Sequence, residues 1–279
     1  MTAARAHELI KAGEPAQALE ALQAAVRAAP ADPKLRVFLF QLLCVMGQWE
    51  RAATQLDLVA EMDAKAVLMK QTYGDAVQCE LLRARVFAGE KAPMVFGYPE
   101  QWLALMIEAL LNPAHAQALR ARALEQAPAS AGSVDGVAFE WIADADSRLG
   151  PVLEAVIKNR YYWLPFQHLT RIDIEPPEDL RDCVWTPAHL MFTNGGETLA
   201  LIPTRYAGTE LQDDGLLRLA RKTDWLETQP GVFCGSGQRV LATDTADYAL
   251  MDVRCIMLDH VEPAADHAAD GGAGALGAA

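Results

Sequence analysis

No stretch of this sequence is apolar for long enough to cross a bilayer. The longest run, Val37 to Met46, is broken by Gln41, and a spanning helix needs about 20 apolar residues. The first residues include Glu8 and Glu14 and hold no continuous apolar segment of the secretory kind, so no export signal is expected. Cysteine is sparse. Cys44, Cys79, Cys183, Cys234 and Cys255 include no pair at the spacing of a zinc knuckle or a dithiol redox motif, and they are expected to stay reduced as small hydrophobes. Positive charge is short too: 24 Lys and Arg stand against 37 Asp and Glu, a net charge of −13. A surface of that sign repels phosphate backbones and anionic lipid. Neither nucleic acid nor membrane is an expected partner, and the expected compartment is the cytoplasm.

Catalytic signatures are missing as well. There is no phosphate-binding loop and no dinucleotide fingerprint. Cys234-Gly235-Ser236-Gly237 lacks the Gly-x-Ser-x-Gly frame of a nucleophile elbow. Asp144 and Asp146 stand two apart, and paired carboxylates hold metals or divide acid and base roles. With His168 or His189 nearby, they make a metal-assisted hydrolase the alternative reading. No third ligand follows at calcium-loop spacing, because Ser147 and Arg148 stand there instead. The plainer reading pairs Arg148 with a carboxylate at the turn into Gly150-Pro151. No enzyme activity and no cofactor are expected.

What is present begins with a repeat. Gly13 and Gly47, Ala18 and Ala52, Leu22 and Leu56, and Leu9 and Leu43 are each 34 residues apart, the period of a tetratricopeptide repeat. The residue types suit that architecture. A glycine ends one helix where the chain turns, and a small alanine lets paired helices approach closely. Lys65 to Ala88 reads as a further long helix, and Pro99 to Leu111 and Pro113 to Gln126 as two more, each with proline near its start. Stacked repeats leave a concave face lined by the first helix of each pair. The predicted partner-binding residues on it are Lys34, Val37, Gln41 and Val45, then Leu68, Gln71 and Asp75, in a groove suited to an amphipathic helix.

Ala127 to Gly136 reads as a linker, and charge changes with it. Residues 1–127 hold 13 basic and 14 acidic side chains, which leaves 24 − 13 = 11 basic and 37 − 14 = 23 acidic for the rest. The expected domains are therefore a helical one over 1–127 and a β-rich one over 137–260, with an Ala/Gly tail over 261–279 too poor in bulky residues to order itself. In the second part Val137 to Ile142, Tyr161 to Leu164 and Arg171 to Ile174 read as strands, and Pro151 to Lys158 as a short helix. His189 to Pro203 reads as a hairpin turning at Asn194-Gly195. Leu216 to Leu226, Gln238 to Thr243 and Tyr248 to Leu258 read as further strands. The fold class is α+β: a tetratricopeptide-like helical solenoid followed by a small β-rich, partly barrel-like domain.

Several segments of the second part carry a resemblance. Trp141-Ile-Ala-Asp-Ala-Asp-Ser-Arg-Leu-Gly-Pro151, Asn159-Arg-Tyr-Tyr-Trp-Leu-Pro-Phe166, Leu180-Arg-Asp-Cys-Val-Trp-Thr-Pro-Ala188 and Leu201-Ile-Pro-Thr-Arg-Tyr-Ala-Gly208 are among them. With Arg218-Leu-Ala-Arg-Lys-Thr-Asp-Trp225 and Gly237-Gln-Arg-Val-Leu-Ala-Thr-Asp244, they resemble the ImpE/TagJ/SciE family of type VI secretion accessory proteins. The resemblance implies a non-enzymatic adaptor that associates with the small sheath subunit, through its N-terminal helix, and with the sheath-recycling ATPase ClpV. It implies no catalytic residues.

Overall fold

The computed structural model describes residues 3–97 and 99–259; the predicted tail lies outside them. Seven helices come first: α1 Ala3–Lys11, α2 Pro15–Ala28, α3 Pro33–Val45, α4 Trp49–Met62, α5 Val67–Phe87, α6 Gln101–Leu111 and α7 Ala116–Gln126. Prolines open α2 and α3, where a missing N–H costs nothing. The Asp32 side chain accepts from the Lys34 and Leu35 amides at the head of α3. Gly13 and Gly47, at φ +83° and +66°, take the left-handed conformation that ends α1 and α3. The 34-residue repeat is thus two helix pairs, α1/α2 and α3/α4. Ala18, Leu22, Ala52 and Leu56 are all buried.

The strands are β1 Met94–Val95, β2 Gly132–Val134, β3 Val137–Phe139, β4 Ile142–Asp144, β5 Val152–Ile157, β6 Arg160–Pro165, β7 Leu169–Ile174, β8 Trp185–Phe192, β9 Glu197–Pro203, β10 Thr223–Gln229, β11 Val232–Gly237, β12 Val240–Thr243, β13 Asp247–Ala249 and β14 Cys255–Leu258. Nine of them make one sheet in the order β1-β6-β5-β9-β8-β7-β14-β2-β3. Its two ends are β1 and β3, so the sheet is open, and the barrel-like closure expected from strand number does not occur. β13-β12-β4 form a second sheet and β10-β11 a hairpin. The helices cover one face of the large sheet through a core that joins Leu42, Val86, Trp102 and Met106 to Val156, Tyr161, Trp163, Trp185 and Leu201. The other face buries Leu153, Ala155, Leu164 and Ile172 with Ile142 and Leu241 of the small sheet.

The β8–β9 hairpin forms as expected, with Gly195 at φ +80°. Four other segments differ from expectation. Val137 to Ile142 is not one strand: it breaks at Glu140 and Trp141 into β3 and β4, which join different sheets. Pro151 to Lys158 is strand β5, buried along its whole length. Strands buried on both faces lose the alternation that distinguishes them from helix. The segment from Leu216 contains a short helix, α8 Gly215–Arg218, before β10 begins at Thr223. Tyr248 to Leu258 is broken by a 3-10 turn at Leu250–Asp252.

Candidate functional site

Two of the clefts that border the helical half also take residues from the strand-rich part, one lined by Glu178 to Leu180 and Cys183 and the other by Glu175; a third, of about 550 Å³, lies between α4 and α5 and includes Gln71 and Asp75. The first has a volume of about 600 Å³ and is lined by residues of α1 and α3 together with Glu178, Asp179, Leu180, Cys183 and Arg221. Three of the predicted residues, Lys34, Val37 and Gln41, stand in it. The helical period places Lys34, Val37 and Gln41 on one stripe of α3. Gln41 sits at the floor, only 8% exposed. Val45 continues the stripe but is fully buried, so it does not line the cleft; its carbonyl accepts a hydrogen bond from Arg205.

The second cleft, about 460 Å³, takes Leu68, Gln71 and Asp75 from α5, facing Val156, Pro187, Leu199 and Leu201 of the sheet. The seven predicted residues therefore divide between two clefts and the core. The concave face does not run on between them because the chain fills it. The segment Leu180–Cys183 packs on α3, and the ring of Trp185 lies 6.0 Å from that of Trp49 and 5.9 Å from that of Tyr73. Arg181 stacks on Tyr73 at 4.5 Å. Asp179 and Asp182 hold the segment in a reciprocal capping box. The Asp-x-x-Asp spacing was the only local signal for this element; its docking site lies over 100 residues away. Burial pushes the Cys183 thiol up from its ordinary range, so it contributes an uncharged wall to the first cleft.

Behind the clefts lies a buried ion network. Arg83 of α5 donates to Glu154 of β5 at 2.7 and 2.9 Å, to the Arg205 carbonyl at 2.8 Å and to Glu80 at 3.3 Å. Trp185 donates to Glu80 at 3.0 Å, and Tyr161 donates to Glu154. Arg239 bridges Asp144 and Glu154. Arg205 donates to the Cys44 and Val45 carbonyls at the end of α3, and Arg221 to the Ile10 and Lys11 carbonyls at the end of α1. Cations there complement the helix dipole and satisfy orphan carbonyls. Burial alone would raise Glu154, but the guanidiniums of Arg83 and Arg239 outweigh it and hold the carboxyl at about 2.

The alternative hydrolase centre does not assemble. Asp144 is bound to Arg239 and Asp146 to Arg148, the second being the pairing the plainer reading expected. Burial, more than Arg239 offsets, pushes Asp144 up to about 7. A shift of that kind marks functional carboxylates, yet Asp144 is buried among its own partners and lines neither cleft. His168 pairs with Glu100 at 3.2 Å and His189 with Glu197 at 3.4 Å. Among the described residues no three His, Cys, Asp or Glu side chains group as a metal site would require.

A two-pair helical repeat array, clamped by buried arginines to a mixed sheet and bordered by open clefts, defines a scaffold of the tetratricopeptide class. Comparison with known proteins agrees with this and goes further. The tetratricopeptide repeat family matches residues 9–71, and the family described as ImpE protein matches residues 136–257. The type VI secretion system accessory component TagJ of Pseudomonas aeruginosa is 49% identical over 254 residues, 89% of each chain. A crystal structure of a Vibrio parahaemolyticus protein shares the fold, with a TM-score of 0.84 at 22% identity over 94% of this chain and 99% of that one. The chain belongs to the ImpE/TagJ family of type VI secretion accessory proteins. Its resemblance segments now have a physical reason, since Asp144, Asp146, Arg148, Tyr161, Trp163, Trp185, Arg205 and Arg239 within them build the clamp behind the clefts. Among the described residues no helix is long and apolar enough to cross a membrane.

Proposed function

We propose that the chain is a cytoplasmic, non-enzymatic adaptor that holds the N-terminal helix of the small sheath subunit and links the sheath to the ATPase ClpV. The observation that supports this most is the first cleft. Ile10, Leu35, Val37 and Phe38 offer apolar surface between α1 and α3, of the kind an amphipathic helix lays its apolar face into. The second cleft, with Leu68 at 72% and Leu199 at 73% exposed, provides separate surface for the ATPase side. Buried carboxylates neutralised by arginine, away from both clefts, fit a scaffold better than a reaction centre. We propose the same division of the chain, a helical unit over 1–127 and a strand-rich unit over 137–260, the two sharing one core among the described residues.

Co-purification tests this reading. Tagged chain from cells carrying the secretion cluster should bring down the small sheath subunit. Val37→Asp, which sets a charge against the apolar contact, should reduce recovery at least tenfold while the variant stays folded. Equal recovery with Val37→Asp would move the site elsewhere, and no recovery with the unaltered chain would overturn the proposal.

A further inference from the structure

The first cleft is a cationic place on an acidic protein. Lys11, Lys34 and Arg221 line it, all three are exposed, and among the described residues none of them pairs with a carboxylate. On the acidic side of the lining, Asp179 is already bound to Arg181, which leaves Glu178 against three cations, with the Asp32 carboxylate capping α3 next to Lys34. Lys11 and Lys34 come from the near-neutral first 127 residues, with 13 basic and 14 acidic side chains, and Arg221 from the acidic remainder.

The placement of Lys34 strengthens the point. It occupies the first turn of α3, where the helix dipole disfavours a cation and an acidic residue would stabilise. Local stability does not account for a lysine there. Arg221 has a structural duty through the Ile10 and Lys11 carbonyls, and Lys11 stands in the last turn of α1, where a cation complements the dipole, whereas among the described residues Lys34 makes no side-chain hydrogen bond that would explain it.

We infer that the cleft takes an amphipathic helix whose apolar stripe is flanked by carboxylates. The stripe seats on Ile10, Leu35, Val37 and Phe38, and its acidic flank faces Lys11, Lys34 and Arg221. This rests on the proposal that the cleft binds a helix and adds the chemistry by which the helix is chosen. Exposed ion pairs contribute little each, so two or three of them amount to about tenfold in affinity, and they act through selectivity and association rate as much as strength.

Two synthetic amphipathic helices with one shared apolar stripe, one flanked by Glu and one by Lys, provide the probes. Fluorescence anisotropy against the full chain should show the Glu-flanked helix binding about tenfold tighter at low salt. The advantage should shrink as ionic strength rises to several hundred millimolar. Lys11→Glu/Lys34→Glu should abolish or reverse the preference with little change in Tm, because neither residue is in the core. Equal binding of both probes, a preference for the Lys-flanked helix, or no binding of either would overturn the inference. If the Glu-flanked probe binds as expected but a sheath N-terminal peptide does not, the sheath assignment fails and the inferred chemistry stands.

Discussion

Glu154 shows how much of this protein rests on single buried side chains. It lies on β5, fully buried, and accepts from Arg83, Tyr161 and Arg239. Glu154→Gln removes the charge that two guanidiniums were placed to meet, and breaking one side of a buried ion pair costs about 3–5 kcal/mol. Chemical denaturation at pH 7 should show a loss of that size. The pH dependence has a definite sign. The folded carboxyl titrates at about 2, below its ordinary 4.5, so its contribution is complete above about 4.5 and is lost as pH falls towards 2. The gap between the wild-type protein and Glu154→Gln should therefore close over that window, and a gap that widens with acid would contradict the assignment. None of this was legible in the sequence. Arg83 and Glu154 are 71 residues apart, and a glutamate between leucine and alanine reads as a solvated helix position.

At the scale of elements, what could be read depended on whether the signal was local. Asn194-Gly195 marked the β8–β9 hairpin because a tight turn needs positive φ, and the 34-residue spacing marked α1 to α4 because each glycine ends its helix within a few residues. Strand β5 was misread as helix because burial on both faces erased its alternation and left proline as the strongest cue. The halves of the first cleft could not be joined from sequence: Lys34, Val37 and Gln41 were readable as a helical stripe, whereas Leu180 and Arg221 belong to elements that only the fold brings beside them. Helix α8 has a close approach that sequence also hides. A Cβ on Gly215 would overlap the Gly13 carbonyl and press on Pro15, both at the α1–α2 turn. Gly215→Ala should cost about 1–3 kcal/mol through that displacement. A thermal melt unchanged from wild type would show that the α8 contact is loose.

The whole molecule is governed by the shared core. Helical residues and Tyr161, Trp163 and Trp185 of the sheet pack into one apolar cluster, and Arg83 and Arg205 cross between helices and sheet. The described chain should unfold in a single transition, with far-UV circular dichroism and tryptophan fluorescence coinciding; two separated transitions would mean that the seam is weak. A rigid seam also fixes the cleft between α1, α3 and the Glu178–Cys183 segment, so the partner helix we propose would meet a preformed surface and lose little entropy to ordering of the cleft. The central claim is that this surface receives a sheath helix, and calorimetry with the purified sheath N-terminal peptide tests it most directly. The account predicts a one-to-one isotherm that Val37→Asp weakens at least tenfold; no heat of binding at high micromolar peptide, or an isotherm indifferent to Val37→Asp, would contradict it.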